Sequence, residues 1–246
     1  MLAVDRVVLV LVEPQDAVNV GAVLRVMLNF GLRQLRVVNP AAGALDPARL
    51  DDLAHRSQAL INAIEVHAAL DTALGDATYI VGATARPRAA PTAMHSPREL
   101  APTLVAHMQD GRLALVFGSE ASGLSNAALD RCHARVTIPT APDYRSLNLA
   151  QAVLLVCYEL WLAAEQPAPM PAAEQPAAAA ALEAMFAAWQ EALTAVGFLK
   201  TGQAPAIMRR LRNLIQRAVP GSDEARLLHA IAREMIKFAG RLPPDL

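Results

Sequence analysis

Cysteine is scarce in this chain, with two in 246 residues. That excludes a disulfide framework and a cysteine-based zinc site, and it fits a reducing compartment, so a cytoplasmic location is expected. Aromatic residues make up only 4%, so the core has to be mainly aliphatic. No run reaches ~18 uninterrupted apolar residues, so no membrane-spanning helix is expected. The start, Met1-Leu2-Ala3-Val4-Asp5-Arg6, lacks the basic-then-apolar order of a signal peptide. G-x-G-x-x-G is missing, which argues against a standard dinucleotide fold, and so is G-x-S-x-G, which argues against a nucleophile-elbow hydrolase. The six histidines, at 55, 67, 95, 107, 133 and 229, make no H-x-x-x-H or Cys/His cluster. No metal is expected.

What the chain does have is apolar bulk: 54% hydrophobic against 18% charged. That suffices for one large domain, or for one with a small appendage. The formal net charge of −1 hides a strong asymmetry. Residues 1–164 carry 13 Lys+Arg and 15 Asp+Glu, and residues 165–199 carry four glutamates and no Lys or Arg. Residues 200–241 carry nine Lys+Arg against three acids, and Asp245 closes the balance. A basic C-terminal module on a near-neutral body is the asymmetry expected of a polyanion binder, although a solvated helical face gives the same pattern.

Short apolar runs read as buried strands at Arg6–Val12, Leu35–Val38, Thr78–Val81, Arg112–Phe117 and Val136–Ile138. Helical spacing or caps place helices between Asn19, read as an N-cap, and Gly31, over much of Pro47–Ile64, near Leu70–Leu74 and over Leu147–Ala164. This alternation means α/β with a mainly parallel sheet. The Pro-rich stretch 166–178 reads as a linker, and helices follow at about 180–196, 204–218 and 222–239. In the middle one, Ile207, Leu211, Leu214 and Ile215 form the apolar stripe, with Arg209 and Arg212 pointing away and Arg210 and Arg217 sharing a flank.

Ligands of open parallel sheets bind beyond the carboxyl ends of the strands. Four segments stand there. Asn19-Val20-Gly21-Ala22-Val23-Leu24-Arg25 opens a helix, and Gly21 leaves the backbone near its N-terminus bare, where an anion is favoured. Gly82-Ala83-Thr84-Ala85-Arg86-Pro87-Arg88 follows a strand and sets two arginines beside small residues. Phe117-Gly118-Ser119-Glu120-Ala121-Ser122-Gly123-Leu124 has P-loop-like glycine spacing but Leu124 where a lysine would be needed. The last segment, Pro139–Ala150, carries Ser146-Leu147-Asn148 at the start of a long helix; Ser146 is a good N-cap, and Asn148 has no strong structural reason to be there. Cys157 falls in an apolar helix and reads as core, while Cys132 reads as partly exposed with no base beside it.

Together, N-x-G-x-x-x-R at 19–25, FGSEASGL at 117–124 and SLNLAQAV at 146–153 resemble the three motifs of SpoU/TrmH-type RNA methyltransferases in the SPOUT superfamily. The basic helical module, with Gly197-Phe198, resembles the C-terminal extension of TrmJ-like tRNA methyltransferases. The resemblance implies a C-terminal trefoil knot, S-adenosylmethionine as cofactor and a homodimer. It divides the chain into a catalytic domain at 1–165, a linker at 166–179 and a helical tRNA-binding extension at 180–246. It places Ala83, Thr84, Ala85, Gly118, Ile138, Ser146, Leu147 and Asn148 around the cofactor. It assigns Arg25 to the catalytic centre, with Asn19, Glu120 and Asn148 beside it in the catalytic set and Glu120 and Asn148 as positioners. Arg86, Arg88, Arg209, Arg210, Arg212 and Arg217 are the expected RNA contacts. The substrate implied is the ribose 2′-OH of the cytidine or uridine that opens the anticodon loop of tRNA, position 32. Ribosomal RNA, another tRNA position, or a catalytically silent RNA-binding dimer are the alternatives. Arg145 stands where the motif has a small residue.

Overall fold

The computed structural model describes residues 3–85, 94–165, 176–200 and 202–241. Its strands are β1 (Val7–Val12), β2 (Gln34–Val38), β3 (Glu65–His67), β4 (Tyr79–Ala83), β5 (Met94–His95), β6 (Leu113–Phe117) and β7 (Ala134–Val136). They form one sheet in the order β3-β2-β1-β6-β4-β7-β5, with every pairing parallel. The α/β expectation holds. The α-helices are α1 (Ala17–Asn29), α2 (Pro47–Leu53), α3 (Gln58–Asn62), α4 (Leu70–Leu74), α5 (Pro97–Asp110), α6 (Asn126–Leu129), α7 (Leu149–Glu165), α8 (Ala179–Ala195), α9 (Ala204–Ala218) and α10 (Ser222–Ala239).

β1 and β6 are central and covered on both faces, which is why they read as unbroken apolar runs rather than alternating ones. On one face Leu9, Leu11, Leu113 and Leu115 pack with α1, α2, α3, α5 and α7. On the other, Val8, Val10, Ala114 and Val116 pack with α4, α6 and Ala179 at the start of α8. Arg36 of β2 is 8% exposed and is satisfied by Asp76 at 2.6 and 3.0 Å, Glu65 at 3.0 Å and the Ala73 carbonyl at 2.9 Å. The two carboxylates compensate the buried charge, and the Ala73 carbonyl ties α4 to β2.

Several sequence expectations are corrected. Pro47–Ile64 is two helices, because the chain turns at Arg56, whose φ is +70°. Asn19 is not the cap of α1: Asp16 is, accepting from the Asn19 backbone N–H at 2.9 Å. Ser146 likewise does not cap α7; Asn148 Oδ1 accepts from Ala150 N–H at 2.9 Å and Gln151 N–H at 3.4 Å. Gly21 is bare for packing rather than for an anion, since a Cβ there would lie 2.7 Å from Leu53 Cβ on α2. Cys132 is buried, not partly exposed, and burial pushes its thiol up to about 12. β7 starts two residues before the expected strand, since Arg135 is buried within it. α5 is a helix beyond those expected, and the capping box of Ser96 and Glu99 at its start is its signal in the sequence.

The C-terminal helices dock on the sheet domain of the same chain, on the α4 side. Ala179 N–H donates to Ala77 O at 2.8 Å, Ala180 N–H to Gly75 O at 3.4 Å, and Ala177 N–H to Pro220 O at 2.9 Å. α8 buries Leu182, Met185 and Phe186 against Ala225 of α10. Most of the expected linker, 166–175, lies outside the described residues. Among the described residues, no helix is long and apolar enough to cross a membrane.

Candidate active site

The carboxyl ends of β4, β6 and β7 lie side by side, and the segments that follow them enclose a cleft of about 320 Å³. Thr84 N–H donates to Val136 O at 2.9 Å, which ties the β4 tip to β7. The β6 loop is folded tightly on itself: Gly123 N–H donates to Ser119 O at 2.8 Å and the Ser119 and Ser122 hydroxyls are 2.8 Å apart. Two glycines make this turn possible. Gly123 has φ +66°, and a Cβ on Gly118 would lie 2.1 Å from the carbonyl carbon of Gly123. These contacts are with backbone, so no rotamer change would relieve them.

Ala83, Thr84, Ala85, Gly118, Ile138, Ser146 and Leu147 all line the cleft, together with Phe117, Glu120, Leu124, Val136, Arg145 and Leu149. Asn148 does not line it. It stands at the edge, in a hydrogen-bond relay that joins all three motif segments. Asn148 Nδ2 donates to Asn19 Oδ1 at 2.7 Å, and Asn19 Nδ2 donates to Glu120 Oε1 at 2.7 Å. The other carboxylate oxygen, Glu120 Oε2, accepts from Gln15 N–H at 3.0 Å. The polarity of the relay is set at both ends. Asn148 Oδ1 is committed to the amides of α7, so its Nδ2 must donate onward. Glu120 can only accept while it is ionised, so Asn19 must present its Nδ2. Asp16 Oδ2, 3.4 Å from Asn19 Nδ2, reinforces that orientation. Asp16 and the Gln15 amide are additions to the expected site; for the first, an Asp one residue ahead of an apolar helical pattern is the signal in the sequence.

Arg25 is not brought into the cleft. It is exposed on α1 and has no hydrogen bond or ion pair with the described residues. Its neighbours on the outward side of α1 include Val18 and Leu28, both exposed, and the adjacent α7 exposes Leu154, Leu155, Tyr158 and Leu162. Arg86 and Arg88 lie outside the described residues. On α9, Arg209, Arg210 and Arg217 are exposed. Arg212 is instead turned inward: it pairs with Glu183, with Nη2 to Oε2 at 2.8 Å, and its guanidinium sits 4.3 Å from the centroid of the Phe186 ring. A second cavity, of about 290 Å³, lies where α8 and α9 meet Leu74, Ile80 and His133. Buried Gln216 borders it, and its Oε1 has no partner among the described residues. Among the described residues no three His, Cys, Asp or Glu side chains gather as metal ligands would.

An open parallel sheet with a ligand cleft at its strand tips, joined to a basic three-helix extension, defines the class. Residues 6–158 match the SpoU rRNA Methylase family, and the chain belongs to that family. Residues 180–242 match the C-terminal domain of the tRNA methyltransferase TrmJ. A tRNA (cytidine/uridine-2′-O-)-methyltransferase TrmJ of Klebsiella pneumoniae is 38% identical over 230 residues, covering 91% of this chain and 93% of that protein. Its counterpart in Escherichia coli K12 is 36% identical over 234 residues, covering 91% and 92%. The crystal structure of TrmJ from Z. mobilis ZM4 superposes with a TM-score of 0.81 at 31% identity, covering 93% of this chain and 98% of that one. A structure concerned with 2-OH methylation of C/U34 on tRNA has 25% identity and a TM-score of 0.51, covering 63% and 93%. The resemblance carried by the three motif segments and the basic extension is thus borne out.

Proposed function

We propose that this chain is an S-adenosylmethionine-dependent tRNA ribose 2′-O-methyltransferase, acting as a homodimer on the cytidine or uridine that opens the anticodon loop. The observation that carries the reading is the cleft at the tips of β4, β6 and β7, flanked by the Asn19–Glu120–Asn148 relay. Relatives at 36–38% identity named for cytidine/uridine 2′-O-methylation support the reaction class. The knotted threading implied by the family belongs to the same proposal.

The cleft suits the cofactor. It has nucleoside-like dimensions, small side chains from Ala83 to Ala85 that open backbone groups to a ligand, and apolar walls at Phe117, Ile138 and Leu149. When bound, the sulfonium supplies an activated methyl group whose leaving group is a neutral thioether. The remaining task is placement of the 2′-oxygen in line, worth as much as ~7–11 kcal/mol when the geometry is right. The relay holds the segments around Asn19, Glu120 and Asn148 in one arrangement and so fixes the mouth of the cleft. Arg25 clamps the RNA phosphate beside the reacting hydroxyl and stabilises the developing alkoxide. Its place beside the exposed apolar side chains of α1 and α7 favours action in the cleft of a second subunit docked on that face. Arg209, Arg210 and Arg217 hold a more distant part of the tRNA.

The test is incubation of the purified protein with methyl-labelled cofactor and, separately, total tRNA and ribosomal RNA, followed by mapping of the modified ribose. Label at the first nucleotide of the anticodon loop is expected. Label confined to ribosomal RNA or to another tRNA position would replace the substrate assignment, and no label in either RNA would remove the catalytic one.

A further inference from the structure

Tyr144 is more exposed than any other large apolar side chain among the described residues, at 78%. It belongs to the segment between β7 and α7, where Tyr144 N–H donates to Ala141 O at 3.1 Å and closes a turn that holds the ring away from the body. The next residue, Arg145, lines the cleft yet remains exposed, which places it at the mouth. Its Nε donates to Pro142 O at 3.2 Å, and its two terminal nitrogens have no partner among the described residues. The other charged side chain lining the cleft, Glu120, is engaged by Gln15 and Asn19. Neither Tyr144 nor the outer end of Arg145 contributes to packing, so folding gives no reason for an aromatic ring and a free guanidinium to stand together there.

We propose that Tyr144 and Arg145 form a substrate lip on the cleft, with the Tyr144 ring stacking on an unpaired nucleobase of the RNA loop and Arg145 gripping the phosphate on the 3′ side of the target ribose. The inference rests on the proposed RNA ribose methylation and names how that substrate is held. The 2′-oxygen sits on the carbon next to the one bearing the 3′-phosphate. A ribose whose 2′-oxygen points into the cleft therefore brings that phosphate, which Arg25 meets from the second subunit, to the mouth, where Arg145 adds two free donors. Single-stranded RNA is recognised by splaying out bases onto aromatic faces. Stacking uses the π-face that every base has, so it tolerates cytidine and uridine alike, whereas a hydrogen-bonding reader would separate the amino group of one from the carbonyl of the other. A stacking lip thus accounts for pyrimidine tolerance without a base-reading pocket.

The experiment measures the affinity of the full-length protein for a fluorescent anticodon stem-loop RNA by anisotropy, in the presence of S-adenosylhomocysteine. Parent, Tyr144→Ala, Tyr144→Phe, Arg145→Ser and Arg145→Lys are compared at several salt concentrations. Calorimetric affinity for S-adenosylhomocysteine alone serves as the control for fold and cleft. Tyr144→Ala is expected to weaken RNA binding about tenfold or more, equally for cytidine and uridine loops, with Tyr144→Phe close to the parent. Arg145→Ser is expected to reduce the slope of log affinity against log salt by about 0.7, the value for one phosphate contact on a single strand, and Arg145→Lys to keep the slope. Cofactor affinity is expected to stay within about threefold in the Tyr144 variants, and to fall less than RNA affinity in the Arg145 variants. Unchanged RNA affinity in Tyr144→Ala and Arg145→Ser overturns the lip, as does a loss confined to cofactor affinity or an RNA affinity absent from the parent. RNA binding that follows the expected pattern, in a parent that transfers no methyl group, would support the lip while removing the catalytic reading.

Discussion

Replacing Glu120 with glutamine keeps the shape of the side chain and removes half of its accepting capacity. In the native protein Oε1 accepts from Asn19 Nδ2 at 2.7 Å and Oε2 from Gln15 N–H at 3.0 Å. A glutamine has one carbonyl oxygen, so its NH2 must face one of those two donors. At least one charge-assisted hydrogen bond is lost, worth about 1.5–3 kcal/mol. If the relay positions the reacting ribose, that energy appears in the barrier and corresponds to about a 10- to 150-fold fall in kcat. Cofactor affinity should change little, because the rest of the cleft lining is untouched by the substitution. The assay is methyl transfer to tRNA at saturating cofactor, with calorimetric cofactor affinity alongside. A Glu120→Gln protein that turns over at the parent rate, with the same melting temperature, would refute the idea that this carboxylate orients Asn19 and Asn148.

Gly118→Ala is expected to abolish measurable cofactor binding while leaving the circular dichroism spectrum intact, because the new Cβ would meet backbone atoms of Gly123 and Leu124 at 2.1–2.2 Å; normal affinity in calorimetry would show that the β6 loop does not shape the site. Arg25→Lys keeps the charge and loses the planar fork, so methyl transfer should fall at least about tenfold with cofactor affinity retained, and full activity would reject the phosphate clamp. His133 is buried, and desolvation, with a smaller push from His107, lowers its imidazole to about 4 from 6.5. The folded state therefore resists a proton that the unfolded state accepts: the contribution is fully present above pH 6.5 and lost as the pH falls towards 4. At about 1.4 kcal/mol per pH unit the loss reaches roughly 3 kcal/mol. Denaturant unfolding between pH 7 and 4.5 should be visibly less pH-dependent in His133→Asn, which can still accept from Ile80 N–H; parallel pH profiles would contradict the assignment.

The strands that were plain in the sequence are the ones buried on both faces. Val7 to Val12 and Leu113 to Phe117 have no polar residue to interrupt them, so burial and apolar run coincide. Two strands that failed this test, β7 and β3, were displaced or missed. Arg135 is buried inside β7 and splits its pattern, while β3 is three residues long with two of them exposed. The cleft was legible because small residues and glycines after strands have few other uses. The relay was only half legible. Its members stood out, but each was given a separate task, since hydrogen bonds spanning 101 and 129 residues of chain leave no local periodicity. Asn148 illustrates the point: it caps α7 with one atom and holds Asn19 with the other, two structural duties that its position alone did not reveal. Arg212 failed in the opposite way, because a basic helix face does not disclose which of its arginines is paired with a neighbouring helix.

The claim on which the rest depends is that the cleft between the tips of β4, β6 and β7 holds the methyl donor. A crystal structure of this protein grown with S-adenosylhomocysteine tests it directly. The account predicts the ligand against Ala83–Ala85, Gly118, Ile138 and Leu147, with the Asn19–Glu120–Asn148 relay intact beside its sulfur. Density for the ligand at another place on the chain, or an empty cleft at saturating ligand, would contradict it.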